Sequence, residues 1–112
     1  MWTYQARLLR VVDGDTVDLI LDLGFDIHLN QRVRLAGLNA PEMNTPGGRI
    51  AKEWVANWFQ AFNVGPWPYT ATTQPGPARD KYGRWIADIR AADSHLNAAL
   101  LAAGQALPWP AL

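Results

Sequence analysis

The sequence predicts a small α+β domain, a β-barrel with helices, and three observations lead to that prediction. Within the first 38 residues, apolar and polar side chains alternate over three consecutive stretches separated by glycine-containing turns. From residue 50 onward the apolar period changes to 3.6, which is typical of an amphipathic helix. Two further short apolar stretches and an alanine-rich helical pattern follow.

The first three stretches predict an antiparallel meander. Residues 2–12 form the first strand, and Asp13-Gly14 is a hairpin turn signal that leads into the second. Gly24 marks the next turn, and the third strand carries Arg34 near its end. Such a meander has one hydrophobic face, which a closed or nearly closed barrel buries. The side chains expected on that face are Val17, Leu19, Leu21, Leu23, Ile27, Leu29, Val33 and Leu35.

A helix is expected over residues 50–62, where it would cover the barrel. Its polar side chains occupy the face opposite the apolar stripe, so the aromatic residues on that stripe are interpreted as core. The stripe consists of Ile50, Ala51, Trp54, Val55, Trp58, Phe59 and Phe62.

The remaining stretches complete five strands and a second helix. Residues 67–73 predict a fourth strand at a sheet edge, because Pro68 cannot donate a ladder hydrogen bond. Residues 85–89 predict the fifth strand, and Asp93 or Ser94 can cap a second helix that ends before Gly104. Five strands with a helix between the third and the fourth is the order expected of an OB-fold barrel.

Length and composition favour one domain over residues 1–112. A chain of this length buries about two thirds of its unfolded surface, which suffices for a core without disulfides. Because the chain has no cysteine, a metal site would rest on oxygen or histidine ligands. The first residues lack an export signal and no stretch approaches the ~18 apolar residues of a membrane span, so we expect a cytoplasmic monomer without a membrane partner.

The ten basic and ten acidic side chains cancel, and eight of the ten bases are arginines. A neutral chain is a poor candidate for a broad phosphate-tracking surface, so a nucleic acid would be held locally, at one site.

The segment 33–42 has the composition of a phosphate site. Arg34 offers a planar fork of donors for two phosphate oxygens, Asn39 offers a neutral oxygen, and Glu42 offers a base. Pro41 fixes its own backbone angle and keeps Ala40 out of helical conformation, so the turn presents Glu42. Taken alone, such a segment is common on ordinary protein surfaces.

Two other segments change that interpretation. Upstream, Asp15 in residues 12–17 follows a tight glycine turn and is a hard oxygen ligand of the kind that calcium or magnesium takes. Downstream, residues 80–84 supply Arg84. Taken separately, the first segment is also typical of a solvated hairpin turn and the second of a solvated loop.

In this order and spacing, the three segments resemble the staphylococcal nuclease (thermonuclease) family, from about Leu8 to about Gly104. The resemblance implies an OB-fold barrel and calcium-dependent hydrolysis of DNA or RNA. It implies that Ca²⁺ is held by Asp15, by Asn39 where the family has an aspartate, and by the backbone carbonyl of Ala40. It also implies roles for five further residues: a phosphate clamp by Arg34 and Arg84, activation of water by Glu42, and contacts from Lys81 and Tyr82 to a terminal phosphate.

The chain departs from the family pattern in three places, one of which is Ala40, where the hydroxyl often found in the family is missing. Asn39 keeps an oxygen but removes a full charge beside a divalent ion, so weaker calcium binding is expected. After Gly104 the tyrosines that border the nucleotide pocket in longer members are missing, so the chain resembles a C-terminally truncated member. Trp109 either substitutes as a stacking surface or packs on the barrel, and packing is the favoured interpretation.

Two functions follow from these residues. The first is a metal-dependent nuclease with low sequence specificity, since a barrel kept only for binding has no need of Asp15, Arg34, Glu42 and Arg84 together. The second is a non-catalytic OB-fold module that binds nucleic acid or a protein, and the neutral Asn39 favours it.

Overall fold

Five strands of five or more residues and two helices account for most of the chain. The computed structural model describes residues 2–73, 79 and 83–109. In chain order the elements are β1 (Thr3–Asp13), β2 (Thr16–Asp22), β3 (His28–Leu35), β4 (Leu38–Asn39), α1 (Pro46–Ala61), β5 (Tyr69–Thr73), β6 (Trp85–Ala91), β7 (Ser94–His95), α2 (Leu96–Ala102) and β8 (Leu107–Pro108).

The five long strands close into a barrel. β1, β2 and β3 form an antiparallel meander, and β5 and β6 extend the sheet from the other side of β1. A parallel pairing of residues 33–35 with residues 85–87 joins β3 to β6. The backbone N–H of Ala36 donates to the carbonyl of Ala87 at 2.9 Å across the same junction. The sequence-based expectation of a small barrel with helices is therefore confirmed.

Asn97 of α2 secures the junction between β3 and β6. Its buried side-chain oxygen accepts from the N–H of Ile89 at 3.0 Å. Its amide nitrogen donates to the carbonyls of Ala36 and Ala87, at 3.0 and 3.2 Å. A single buried amide thus satisfies three backbone groups from two strand segments that are distant in sequence.

The barrel interior and α1 share one hydrophobic core. Val55 and Phe59 of α1 are fully buried, and Tyr69 of β5 donates its hydroxyl to the carbonyl of Phe59. Trp58 packs edge-on against Phe59, as expected for aromatic pairs. The fully buried side chains with the largest volumes are Tyr69, Phe59, Leu19, Leu35, Leu38, Ile89, Leu96, Leu100, Val17 and Val55.

Helix α1 begins four residues before its predicted start. Thr45 is the N-cap, and its hydroxyl accepts from the N–H of Gly48 at 3.1 Å, while Pro46 occupies the first turn. Ile50 is exposed although it was expected in the apolar stripe, while its neighbour Ala51 is fully buried. Trp54 and Phe62 are half-buried.

The hairpin between β2 and β3 corrects another expectation. Leu23, Ile27 and Leu29 were expected on the inner face, and all three are exposed. Leu23 and Leu29 nevertheless line an apolar cavity together with the inner-face residues Leu21 and Val33, so of the three it is Ile27 that departs from the expectation. The turn involves more than Gly24, because Phe25 and Asp26 also adopt positive φ. Residues 23–30 are all exposed. Phe25 at its tip is 100% exposed.

The C-terminal elements also differ in detail from the prediction. Neither Asp93 nor Ser94 caps α2, whose N-cap is His95 without a side-chain cap bond. The hydroxyl of Ser94 instead accepts from the indole N–H of Trp58 at 3.0 Å, so its capping capacity is used elsewhere. β5 begins at Tyr69 rather than residue 67, so Pro68 lies before the strand. β5 pairs with both β1 and β6, and the prediction that it lies at a sheet edge is therefore wrong. β6 extends to Ala91. Among the described residues, no helix is long and apolar enough to cross a membrane.

Candidate phosphate and metal site

The hairpin between β1 and β2 approaches α1 so closely that it requires glycine. A Cβ on Gly14 would lie 2.7 Å from the Cβ of Ala40 and 2.7 Å from the Cβ of Ala51. These distances are shorter than any ordinary contact, so a side chain here would separate the hairpin from the loop after β4. Gly14 therefore lets Asp15 reach Ala40.

Asp15 is buried, and both oxygens of its carboxylate have polar partners. Its Oδ2 accepts from the N–H of Ala40 at 3.0 Å, and its Oδ1 accepts from the hydroxyl of Thr16 at 3.0 Å. The Nη1 of Arg34 lies 3.3 Å from Oδ2. A buried carboxylate held by a guanidinium and two hydrogen bonds stays ionised and fixed in position.

Arg34 extends from the end of β3, and its side chain is 15% exposed. Besides the ion pair with Asp15, its Nη2 donates to the carbonyl of Leu38 at 3.2 Å and to the Oδ1 of Asn39. The guanidinium therefore connects β3, the first hairpin and β4. Asn39 Oδ1 and Asp15 Oδ2 are the side-chain oxygens that were predicted to hold a metal. In this structure both of them contact the guanidinium of Arg34.

The loop carrying Glu42 is held by the start of α1. The carbonyl of Glu42 accepts from the hydroxyl of Thr45 at 2.6 Å and from the N–H of Thr45 at 3.0 Å. A Cβ on Gly48 would lie 1.9 Å from that same carbonyl oxygen, so the loop fits against the helix only because residue 48 is glycine. The side chain of Glu42 is left exposed at the pocket.

Six of the predicted site residues line one open pocket of about 280 Å³. Asp15 enters it from the first hairpin, Arg34 from β3, and Arg84 from the segment before β6. Lys81 and Tyr82, predicted to contact a terminal phosphate, lie outside the described residues. The full lining is Asp13, Asp15, Arg34, Asn39, Ala40, Pro41, Glu42, Met43 and Arg84.

The two aspartates of the first hairpin have opposite pKa shifts. Burial, together with the hydrogen bond and charge of the neighbouring Asp15, raises the pKa of Asp13 to about 6. Burial acts to raise the pKa of Asp15 as well, but it is outweighed by bonds from Asp13 and the Ala40 amide and by the charge of Arg34, so its pKa is lowered. Asp15 is thus the group that carries negative charge across a wide pH range.

The sequence did not predict the role of several residues that shape this site. Asp13 was assigned only to a turn, although its Oδ1 accepts from the N–H of Asp15 at 3.0 Å and it lines the pocket. A carboxylate two residues before Asp15, across a glycine, was the available signal. Thr45 and Gly48 form a Thr-x-x-Gly pattern at the start of α1, but their role follows only from the contact with Glu42.

The oxygen atoms around the pocket are of the chemical types that a hard divalent cation binds. Carboxylate, amide and carbonyl oxygens are the ligands that calcium and magnesium take, with water completing the shell. Asp15, Asn39 and the Ala40 carbonyl are the residues that would hold such an ion. In residues 2–73, 79 and 83–109, however, no group of three or more His, Asp or Glu side chains is placed to bind a metal. A cation here would depend on few protein ligands.

The C-terminal segment lies beside the pocket. β8 pairs antiparallel with β4, which places Leu107 opposite Asn39. The N–H of Trp109 donates to the carbonyl of Gly37 at 2.9 Å. Trp109 is 54% exposed, so the expectation that it packs on the barrel is only half met.

Comparison with known proteins adds one relative. No protein-family model matches the chain. An uncharacterized protein of Bacillus anthracis is 30% identical over 105 residues, which correspond to 91% of this chain and 46% of that protein. The chain therefore spans less than half the length of the curated relative it matches. This similarity carries no activity, substrate or partner over to the chain.

Proposed function

We propose that this protein is a thermonuclease-like OB-fold nuclease that hydrolyses phosphodiester bonds of DNA or RNA in the presence of calcium or another divalent cation. The observation that supports it is the shared pocket: a buried carboxylate, two guanidiniums and an exposed carboxylate come from four separate segments to one pocket of about 280 Å³. Those are the groups that phosphodiester cleavage requires.

The finer fold assignment is part of the proposal. A ring of five long strands, with one helix between the third and the fourth, is the order that the resemblance to thermonucleases implies. The parallel contact between β3 and β6 supports it, because it puts the end of β3 next to the segment that carries Arg84.

The arginines supply the phosphate clamp in this mechanism. Arg34 and Arg84 donate to the non-bridging oxygens of the scissile phosphate and offset the charge that grows on them in the transition state. Asp15 keeps Arg34 oriented through their ion pair at 3.3 Å. Because the side chain of Arg34 is largely buried, this attraction is weakened little by solvent.

Glu42 acts on the attacking water. Its carboxylate accepts the proton as the water oxygen forms a bond to phosphorus and the bond from phosphorus to the leaving oxygen breaks. The leaving oxygen takes a proton from solvent. The carbonyl of Glu42 is fixed by Thr45, which holds the backbone of the general base in place.

A bound divalent cation would neutralise charge on the phosphate oxygens. Asp15, Asn39 and the Ala40 carbonyl would hold it. Since Asn39 Oδ1 and Asp15 Oδ2 bind Arg34, a cation would compete with the guanidinium for these oxygens. The neutral amide at position 39 therefore makes tight metal binding less favourable than an aspartate would.

Calcium-dependent cleavage tests the proposal. Single-stranded DNA and RNA are incubated separately with the protein in millimolar calcium and again with excess EDTA. We expect cleavage of at least one substrate in calcium and none in EDTA. An Arg90→Ala variant, altered at an exposed arginine near the far end of β6, should cleave at the wild-type rate.

A different outcome would favour the alternative function. If the folded protein binds either nucleic acid but cleaves neither with calcium, magnesium or manganese, the barrel is a binding module. The hydrogen bonds that hold Arg34 to Asp15, Leu38 and Asn39 would then be structural.

A further inference from the structure

A second cationic group lies on the outer face of the barrel, one row of residues away from Arg34. Asp18 of β2 lies between Arg10 of β1 and Arg32 of β3, and all three are paired across the sheet. Arg32 binds Asp18 through two bonds, Nε to Oδ1 at 2.8 Å and Nη2 to Oδ2 at 3.1 Å. The Nε of Arg10 lies 3.3 Å from Asp18 Oδ2. We call these three residues the Arg10–Asp18–Arg32 row.

This row carries one net positive charge and remains accessible. Hydrogen bonding from Arg32 holds the pKa of Asp18 below its usual range, so its carboxylate is ionised at neutral pH. The side chains of Arg32 and Arg10 are 46% and 62% exposed. One carboxylate thus orients two guanidiniums while each keeps surface for another anion. Taken alone, an exposed ion network of this kind is a common surface feature.

The register of the sheet ties the row to the phosphate pocket. Arg34 pairs with Thr16 in the same sheet in which Arg32 pairs with Asp18, and the buried Val33 separates the two arginines. Arg32 and Arg34 therefore point to the same outer face. Two residues along a strand advance about 6.6 Å, a distance similar to one nucleotide repeat along an extended chain.

We propose that the Arg10–Asp18–Arg32 row binds the phosphate next to the one held at Arg34, so that the substrate is a polynucleotide strand lying along the outer face of β3 rather than a small phosphodiester. This inference rests on the proposed function, because it takes Arg34 as the contact to the scissile phosphate. The bound strand runs from the pocket toward His28, and the local charge of the row offsets the neutrality of the whole chain.

Binding without cleavage tests the row directly. A short fluorescent oligothymidylate is titrated by anisotropy in EDTA at several salt concentrations. Arg32→Gln is expected to weaken binding about fivefold and to reduce the salt slope by about 0.7, the loss of one phosphate contact. Arg10→Gln should have a smaller effect in the same direction. Arg32→Lys keeps the charge and should retain most of the affinity, while Arg90→Gln should match the wild type.

Asp18→Asn separates phosphate binding from a structural salt bridge. Removing the carboxylate raises the charge of the row, so oligothymidylate should bind about threefold more tightly, whereas a purely structural role predicts no gain. If Asp18→Asn fails to tighten binding and Arg32→Gln weakens it no more than Arg90→Gln does, the proposal is overturned.

Hydrolysis distinguishes this inference from the proposed function. In calcium, Arg32→Gln should cleave oligothymidylate with a higher KM but cleave the small diester thymidine 5′-(p-nitrophenyl phosphate) at the wild-type rate. If the wild type cleaves both substrates and Arg32→Gln changes neither cleavage rate nor KM, the proposed role of the row is wrong and the nuclease proposal is supported. If the wild type cleaves neither substrate but binding still depends on Arg32, the nuclease proposal fails and the row is a phosphate-binding site of a module that does not cleave.

Discussion

The guanidinium of Arg34 lies 3.3 Å from the carboxylate of Asp15, Nη1 to Oδ2, and the same guanidinium donates to the amide oxygen of Asn39. This relationship joins the end of β3 to the first hairpin. It also means that a positive charge from the protein already occupies the oxygens that a metal would use. The behaviour of the site therefore depends on how Asp15 and Asn39 divide their oxygens between Arg34 and a cation.

Asn39→Asp should bind calcium more tightly than the wild type. The added charge lies beside Asp15 and attracts a divalent ion directly, and we expect about a tenfold lower Kd, equivalent to about 1.4 kcal/mol. Isothermal titration calorimetry measures it. Asn44→Asp adds the same charge at an exposed position that does not line the pocket, and it should change the Kd little. Equal or weaker calcium binding by Asn39→Asp would remove Asn39 from the ligand set.

Gly48→Ala should destabilise the fold and displace the loop of Glu42. The new Cβ would lie 1.9 Å from the Glu42 carbonyl oxygen, and relieving that overlap should cost about 2–4 kcal/mol. Urea unfolding measures the loss. Gly47→Ala is the matched control, because its Cβ would meet Pro41 at an ordinary 3.5 Å and should stabilise the helix slightly. Similar unfolding free energies for the two variants would contradict the contact.

Asn97→Ala should lower the free energy of unfolding by about 3 kcal/mol. The change leaves the N–H of Ile89 and the carbonyls of Ala36 and Ala87 without their side-chain partner. Thermal and urea unfolding check the value. Asn57→Ala, at an exposed position on α1, should be nearly neutral. If Asn97→Ala is as stable as Asn57→Ala, the amide does not secure the closure of the barrel.

The raised pKa of Asp13 predicts a pH dependence of stability in EDTA. With a pKa of about 6, the folded protein keeps a proton that the unfolded chain loses near its ordinary pKa. Stability from this group is therefore present below about pH 4 and is lost as the pH rises through about 6. Asp15 has the opposite sign, because its lowered pKa stabilises the fold above its ordinary range and that contribution is lost in acid.

Asp13→Asn isolates the first effect. The amide mimics the protonated carboxyl and can still accept from the N–H of Asp15. Above pH 6 the variant should be more stable than the wild type by at most about 1 kcal/mol, since solvent screens the half-buried carboxyl. Below pH 4 the two should be equal. A stability difference that does not vary with pH would contradict the shift.

The sequence predicted the elements that depend on local pattern. The alternation in β2 and the end of β3 fixed which side of the sheet carries Arg34, and the 3.6 period located α1. Closure of the barrel was predicted from the single hydrophobic face of the meander. These features depend on periods of two and 3.6, which a sequence displays directly.

The features that were missed depend on contacts between distant segments. Nothing near Asn97 reveals that it binds carbonyls of two strands, and the close approach of Gly48 to Glu42 exists only in three dimensions. The left-handed conformation of Phe25 lengthens a turn that was assigned to Gly24 alone, so Ile27 is exposed instead of lying on the inner face. The pairing of Arg34 with Asn39 likewise needed the geometry of β4.

The most direct measurement of the central claim is the single-turnover cleavage rate of Glu42→Gln in calcium, compared with that of Glu53→Gln, a matched carboxylate-to-amide change at an exposed position of α1. If the pocket hydrolyses phosphodiesters with Glu42 as its base, Glu42→Gln should be slower than the wild type by about 10²–10⁴. Its unfolding free energy and oligothymidylate affinity should be unchanged, and Glu53→Gln should cleave normally. A folded Glu42→Gln variant that cleaves at the wild-type rate would contradict the account.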